Sequence, residues 1–124
     1  MKKRIFNSLS FLFFFSLCYT VNAQSFATVE ESVERVSQQT LSYELQLNQI
    51  KVSDPNYEQL NKELQSLYVV KESLGNTEPV SIAVMNAVIA YSGYSITESQ
   101  YNNDDFQNQE VADWRIRLIE IFSK

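Results

Sequence analysis

From residue 29 to residue 50, apolar or compact side chains recur at Val29, Val33, Val36, Thr40, Tyr43, Leu47 and Ile50, in alternating steps of four and three. That spacing traces one face of an α-helix. Thr28-Val29-Glu30-Glu31 forms a capping-box pattern at its start, satisfying amide donors that no helical carbonyl can reach. Glu30, Glu31 and Glu34 fall in the first turns and Lys51 in the last, as the helix dipole prefers. A first helix over 28–52 is expected. The same rhythm returns at Tyr57, Leu60, Leu64, Leu67, Lys71 and Leu74. Here Asp54 is the expected N-cap, Pro55 opens the helix, and Gly75 suits the left-handed position past its end. Glu58 and Lys62 make an i,i+4 pair on the flank. The short connection around Val52-Ser53-Asp54 makes this second helix, 55–74, an antiparallel neighbour of the first.

The third segment is different in kind. Val80 to Ser92 carries no charge, and Val80, Ala83, Val84, Ala87, Val88 and Tyr91 are joined by Ile82, Met85 and Ile89 on the other side. Its β-branched residues also suit a strand, but Pro79 before it and Gly93 after it bound a helix over 79–92, with Thr77 or Glu78 near its cap. A helix apolar almost all round is a buried one, and at about 20 Å it is too short to cross a bilayer. A polar stretch follows, with a short turn expected at Thr97 to Tyr101. The last helix, 108–122, sets Val111, Trp114, Leu118, Ile121 and Phe122 on one face, widened by Ala112, Ile116 and Ile119. The expected fold is all-α: a small antiparallel bundle of four main helices in a single domain, 24–124.

The first residues read as an address. Met1-Lys2-Lys3-Arg4 precedes an apolar run from Ile5 to Leu17, and Val21-Asn22-Ala23 offers small or modest side chains before a cleavage point. This is the layout of a secretory signal peptide over 1–23, and the segment resembles those of Gram-negative envelope proteins. Two rivals exist. A membrane anchor would want about 20 apolar residues, and this run is interrupted by Asn7 and serines. Lipid attachment at Cys18 would want a small residue where Leu17 stands. Cleavage after Ala23 leaves a periplasmic or secreted protein with no membrane span.

Composition then narrows the chemistry. Loss of Lys2, Lys3 and Arg4 without any acid takes the net charge from -5 to -8. An acidic surface repels phosphates, so nucleic acid is not an expected ligand. Histidine is absent and Cys18 is the only cysteine, which excludes Ser-His-Asp triads, Cys-His dyads and Cys/His zinc sites. The glycines are too sparse for a phosphate-binding loop. Glu30 and Glu31 diverge by about 100° around a helix and do not converge on a substrate. Asn102-Asn103-Asp104-Asp105 supplies oxygen atoms but not the spaced acids and glycine of a calcium loop. No catalytic residue, metal or cofactor is therefore expected.

What remains is recognition. Residues 93–109 hold Glu98, Asp104 and Asp105 with no cation, beside Tyr94, Tyr101 and Phe106. Aromatic anchors beside charge are the composition of a protein-binding surface. These six residues are the expected contact set. The alternative is that the rings fold back and pin a long loop. The expected function is an exported, non-catalytic protein-binding or accessory module of the bacterial envelope, its partner another envelope or secreted protein. An immunity or inhibitor protein against a basic toxin or hydrolase is the next reading, and a small carboxylate-dependent enzyme the third. The sequence does not fix the oligomeric state.

Overall fold

The computed structural model describes residues 25–124; the expected signal peptide, its cleavage point and Cys18 lie outside the described residues. The chain is all-α, with helices α1 (Val29–Asn48), α2 (Tyr57–Gly75), α3 (Val80–Ser92), α4 (Glu98–Asn102) and α5 (Gln109–Ile121). Among the described residues, no helix is long and apolar enough to cross a membrane.

The uncharged α3 is the centre of the bundle. Ala83, Val84, Ala87 and Val88 lose all contact with solvent, because α3 packs on α2 along one side and on α5 along another. From α2 the core receives Leu64, Leu67, Val70 and Leu74, and from α5 Val111, Trp114 and Leu118. Helix α1 lies against α2 and contributes Val36 and Tyr43. One polar chain threads this core. Trp114 Nε1 donates to Ser66 Oγ at 2.8 Å, and Ser66 Oγ donates to the Ala87 carbonyl at 2.8 Å. A buried indole N–H must find such an acceptor, and here the acceptor links α5 through α2 to α3.

The two ends of the described chain are tied together. Phe26 and Ser123 form an antiparallel bridge, the Ala27 amide donates to the Phe122 carbonyl at 2.9 Å, and the Lys124 amide donates to the Ser25 carbonyl at 3.1 Å. Arg35 on α1 donates to the Ile121 carbonyl at 3.0 Å, covering an orphan acceptor at the end of α5.

Several local expectations are corrected. Helix α1 ends at Asn48, with no base in its last turn, so Lys51 lies beyond it. Val29 and Val33 stay exposed, because the stripe outruns the partners that would cover it. Lys62 pairs with Glu110 of α5 at 3.6 Å in place of the expected Glu58. Lys71 is exposed. Asp54 does not cap α2. It accepts from the Asn56 amide at 2.8 Å, in the turn before the N-cap Asn56, whose side chain makes no cap bond. Ile116, counted on the apolar face of the last helix, is exposed.

Gly93 takes the left-handed conformation expected of it, at φ 73°. Gly75 does not, for α2 runs through it and stops at Asn76. The left-handed residue is Thr77, at φ 64°. Its amide donates to Leu74 and the next, Glu78, to Ser73, the bond pair of a Schellman motif with threonine where glycine is usual. A β-branched residue pays about 1–2 kcal/mol in that region. Thr77→Gly is therefore expected to stabilise the fold by about 1 kcal/mol, after the entropic cost of glycine. A urea midpoint that fails to rise would show that the turn is not strained.

Candidate functional site

The loop that follows α3 is built like a small folded unit. Thr97 caps α4, and the reciprocal bond from its backbone to Gln100 completes a capping box. At the other end Asp104 adopts φ 56°. Its amide donates to Tyr101 and that of Asp105 to Gln100, a second Schellman arrangement. Aspartate is among the few residues that tolerate this conformation. Tyr94 is half-buried, and its hydroxyl accepts the Gln107 amide at 2.9 Å, joining the two strands of the loop.

Of the six residues expected to form a contact surface, Tyr101 turns inward. Only 8% of it is exposed, and it meets Phe106 edge-on at 6.3 Å between ring centres. Phe106 packs half-buried against the core. Glu98, Asp104 and Asp105 are exposed. The aromatic rings thus hold the loop down while the carboxylates face solvent.

Under the loop lies a buried cation. Arg115 is 3% exposed, its guanidinium 4.7 Å from the centre of the Tyr101 ring. Its Nη1 stands 3.7 Å from Asp104 Oδ1. The signal for its burial was present, since Arg115 is four residues after Val111 and three before Leu118, which places it on the core side of α5. Burial pushes the Tyr101 hydroxyl pKa up, with Arg115 opposing. Beside this pair a cleft of about 290 Å³ opens between α3, α4 and α5, its lining mixed: Ile82, Met85 and Ile119 on one hand, Ser81, Glu98 and Asn102 with the arginine on the other.

A second polar cluster joins four helices on another face. Tyr43 donates to Glu63 at 2.7 Å and accepts from Arg117 at 3.0 Å. Gln59 donates to Glu63 and to the Tyr91 hydroxyl, each at 2.7 Å, and Tyr91 donates to Glu110 at 2.9 Å. Arg117 lies over Trp114, and Lys62 over Tyr91. Each carboxylate here accepts a hydrogen bond from a tyrosine hydroxyl, so the cluster works as a structural clasp. Its members come from separate turns of four helices, which no linear motif could have revealed. Among the described residues, no three His, Cys, Asp or Glu side chains are grouped to hold a metal ion.

The clasp has a pH signature. The Tyr43 hydroxyl is pushed up to about 12, by burial first and by Glu63 next. Burial likewise raises Tyr91, and Tyr68 is raised chiefly by its hydrogen bond to Glu44. The native state therefore holds these protons more tightly than the unfolded chain, whose tyrosines titrate near 10.0. The resulting stability is complete below that pH and is lost as pH rises from there towards 12. Melting temperature followed by circular dichroism should fall over that window, and Tyr43→Phe should flatten the fall. A wild-type curve that stays level through the window would contradict the burial of these hydroxyls.

No family model matches the chain, and no curated protein or solved structure is significantly similar to it.

Proposed function

We propose that this protein is an exported, non-catalytic protein-binding module of the bacterial envelope, whose partner is another envelope or secreted protein. Export rests on the layout of residues 1–23. Binding rests above all on the back of α1. Leu41 and Leu45, one helical turn apart, are 55% and 53% exposed. Glu44 is the only charged residue from Val36 to Ile50, and the Tyr68 hydroxyl already occupies it. An apolar patch depleted in charge has the composition of the centre of a protein interface. Docking a partner there buries leucines that the bundle leaves in water.

The loop supplies a different term. Glu98, Asp104 and Asp105 project charge without mobile aromatic anchors, so they would speed encounter with a basic partner more than they tightened the complex. A catalytic reading gains nothing from the clasp, whose carboxylates Glu63 and Glu110 are taken up by tyrosine hydroxyls.

The test is site-specific photocrosslinking in the native host. A benzophenone side chain at position 45 should give one discrete adduct with a second polypeptide, while the same group at position 72 on α2 should not. N-terminal sequencing of the adduct should begin at Gln24. Adducts at neither position, or equal smears from both, would remove the binding reading. A retained Met1 would remove export.

A further inference from the structure

Arg115 is buried beyond nine-tenths, and its Nε and Nη2 are shut away from water with no hydrogen-bond acceptor among the described residues. Only Nη1 faces a carboxylate, and Asp104 Oδ1 stands at 3.7 Å, beyond hydrogen-bonding distance. A cationic donor enclosed without an acceptor costs free energy that hydration would return. The closed loop therefore works against the charge beneath it. The same loop is built to move as one piece. Gln100 donates to Thr97, Asn103 to Ser99 and Gln107 to Tyr94, all within the loop, and Ser92 at its base donates to the Tyr94 carbonyl. What fastens it to the bundle is the packing of Ile96, Tyr101 and Phe106 and the long Asp104 contact. Both ends can turn. Gly93 is left-handed, with no atom close to where a side chain would stand, and Gln107 and Asn108 are exposed. Helix α4 lends Glu98, Tyr101 and Asn102 to one wall of the cleft, while Ser81, Met85 and Ile119 belong to the bundle. The cleft marks the line along which the two would part.

We propose that residues 94–107 form a lid that opens as a unit on a folded bundle, with the buried Arg115 charge lowering the free energy it takes to open. Opening hydrates the guanidinium and keeps the hydrogen bonds inside the loop. Its cost is confined to the apolar surface of Ile96, Tyr101 and Phe106 and to the Asp104 contact. Open, the lid turns Tyr101, Phe106 and Arg115 to solvent, side chains of the kinds that dominate protein interfaces and that the closed form withholds. The lid does not involve the back of α1 and does not depend on the binding role proposed for that face.

The experiment uses the protein expressed from its full-length sequence, isotope-labelled, in the form the cell delivers. Hydrogen exchange of the Arg115 Nε–H and of the Trp114 indole N–H is followed by NMR, each rate expressed as protection relative to the free side chain. Both residues are buried, but only the first lies under the lid. Arg115 should be at least about a hundredfold less protected than Trp114, because the lid opens at a smaller free energy than the bundle. Val36→Ala, in the core on α1, weakens the bundle and leaves the lid alone. It should speed Trp114 exchange by about tenfold or more and leave Arg115 within about twofold. Phe106→Ala removes an anchor of the lid and should speed Arg115 exchange by about tenfold. Arg115→Met should raise the urea midpoint, since an unbranched apolar side chain leaves no charge behind to be buried. Equal protection of the two N–H groups, parallel acceleration of both by Val36→Ala, or unchanged Arg115 exchange in Phe106→Ala would overturn the lid. A midpoint unchanged or lowered in Arg115→Met would overturn the part given to the arginine, and the proposal with it.

Discussion

Truncation of Trp114 to alanine is expected to cost about 3–5 kcal/mol, enough to unfold much of the population of a domain this size. The indole is 2% exposed and stacks on Tyr91 of α3 at 5.4 Å. Its N–H reaches Ser66 of α2, so one side chain joins three helices. Trp114→Phe keeps most of the packing but loses the hydrogen bond. Ser66 retains the Ala87 carbonyl, so that variant should lose only about 1 kcal/mol from the bond itself. Ile116→Ala, two residues on at an exposed position, should fall within about 0.5 kcal/mol of wild type. Urea midpoints at unchanged slope separate the three. A Trp114→Ala midpoint within error of Ile116→Ala would show that α5 does not close the core.

Phe122→Ala should be comparably severe, at about 3–5 kcal/mol, although the residue lies only two positions from the end of the chain. It is completely buried, and its carbonyl receives the Ala27 amide. Removing the ring should release the last residues and, with them, the segment 25–27 that they hold. Amide hydrogen exchange would then quicken at Ala27 and Lys124 before any change in α3. Uniform loss of protection across all helices would mean instead that the terminal tie unfolds with the whole bundle. Unchanged protection at Ala27 would contradict the tie.

The helices were legible because their signals are local. The steps of four and three, Pro79 ahead of α3 and Gly93 after it are written within a few residues of the structure they specify. The uncharged run from Val80 to Ser92 also suited a strand by its β-branched residues, and the helix that Pro79 and Gly93 favoured is the one found, buried in the interior. Gly75 misled for a physical reason. A glycine near a helix end makes the left-handed conformation cheap without requiring it, and the chain ran on two residues to place Thr77 there. Arg115 is a charged residue in an exposed-looking sequence, and only its register with Val111 and Leu118 places it on the core side of α5, under the loop. Tyr101 followed from that placement, since a ring beside a buried guanidinium gains more by covering it than by facing water. The tyrosine clasp was not legible at all. It depends on how four helices are rotated against one another, and tertiary packing sets that rotation.

The pattern of α1 also explains why its leucines matter. Val36, Thr40 and Tyr43 face the bundle, and Leu41 and Leu45 fall on the opposite side, where no described element covers them. A helix needing only one apolar face to fold has no internal use for a second. That surplus is the basis of the binding role proposed for this face. Leu41→Glu with Leu45→Glu should leave the melting temperature close to wild type, because both sites already face solvent.

The measurement that bears most directly on the central claim is the affinity of this double variant for the polypeptide crosslinked at position 45, set beside that of an Asp104→Asn, Asp105→Asn variant. The account expects the leucine variant to lose at least about a hundredfold in affinity through faster dissociation, and the loop variant to lose mainly association rate in a salt-dependent manner. A folded leucine variant that binds its partner as tightly as the wild type would contradict it.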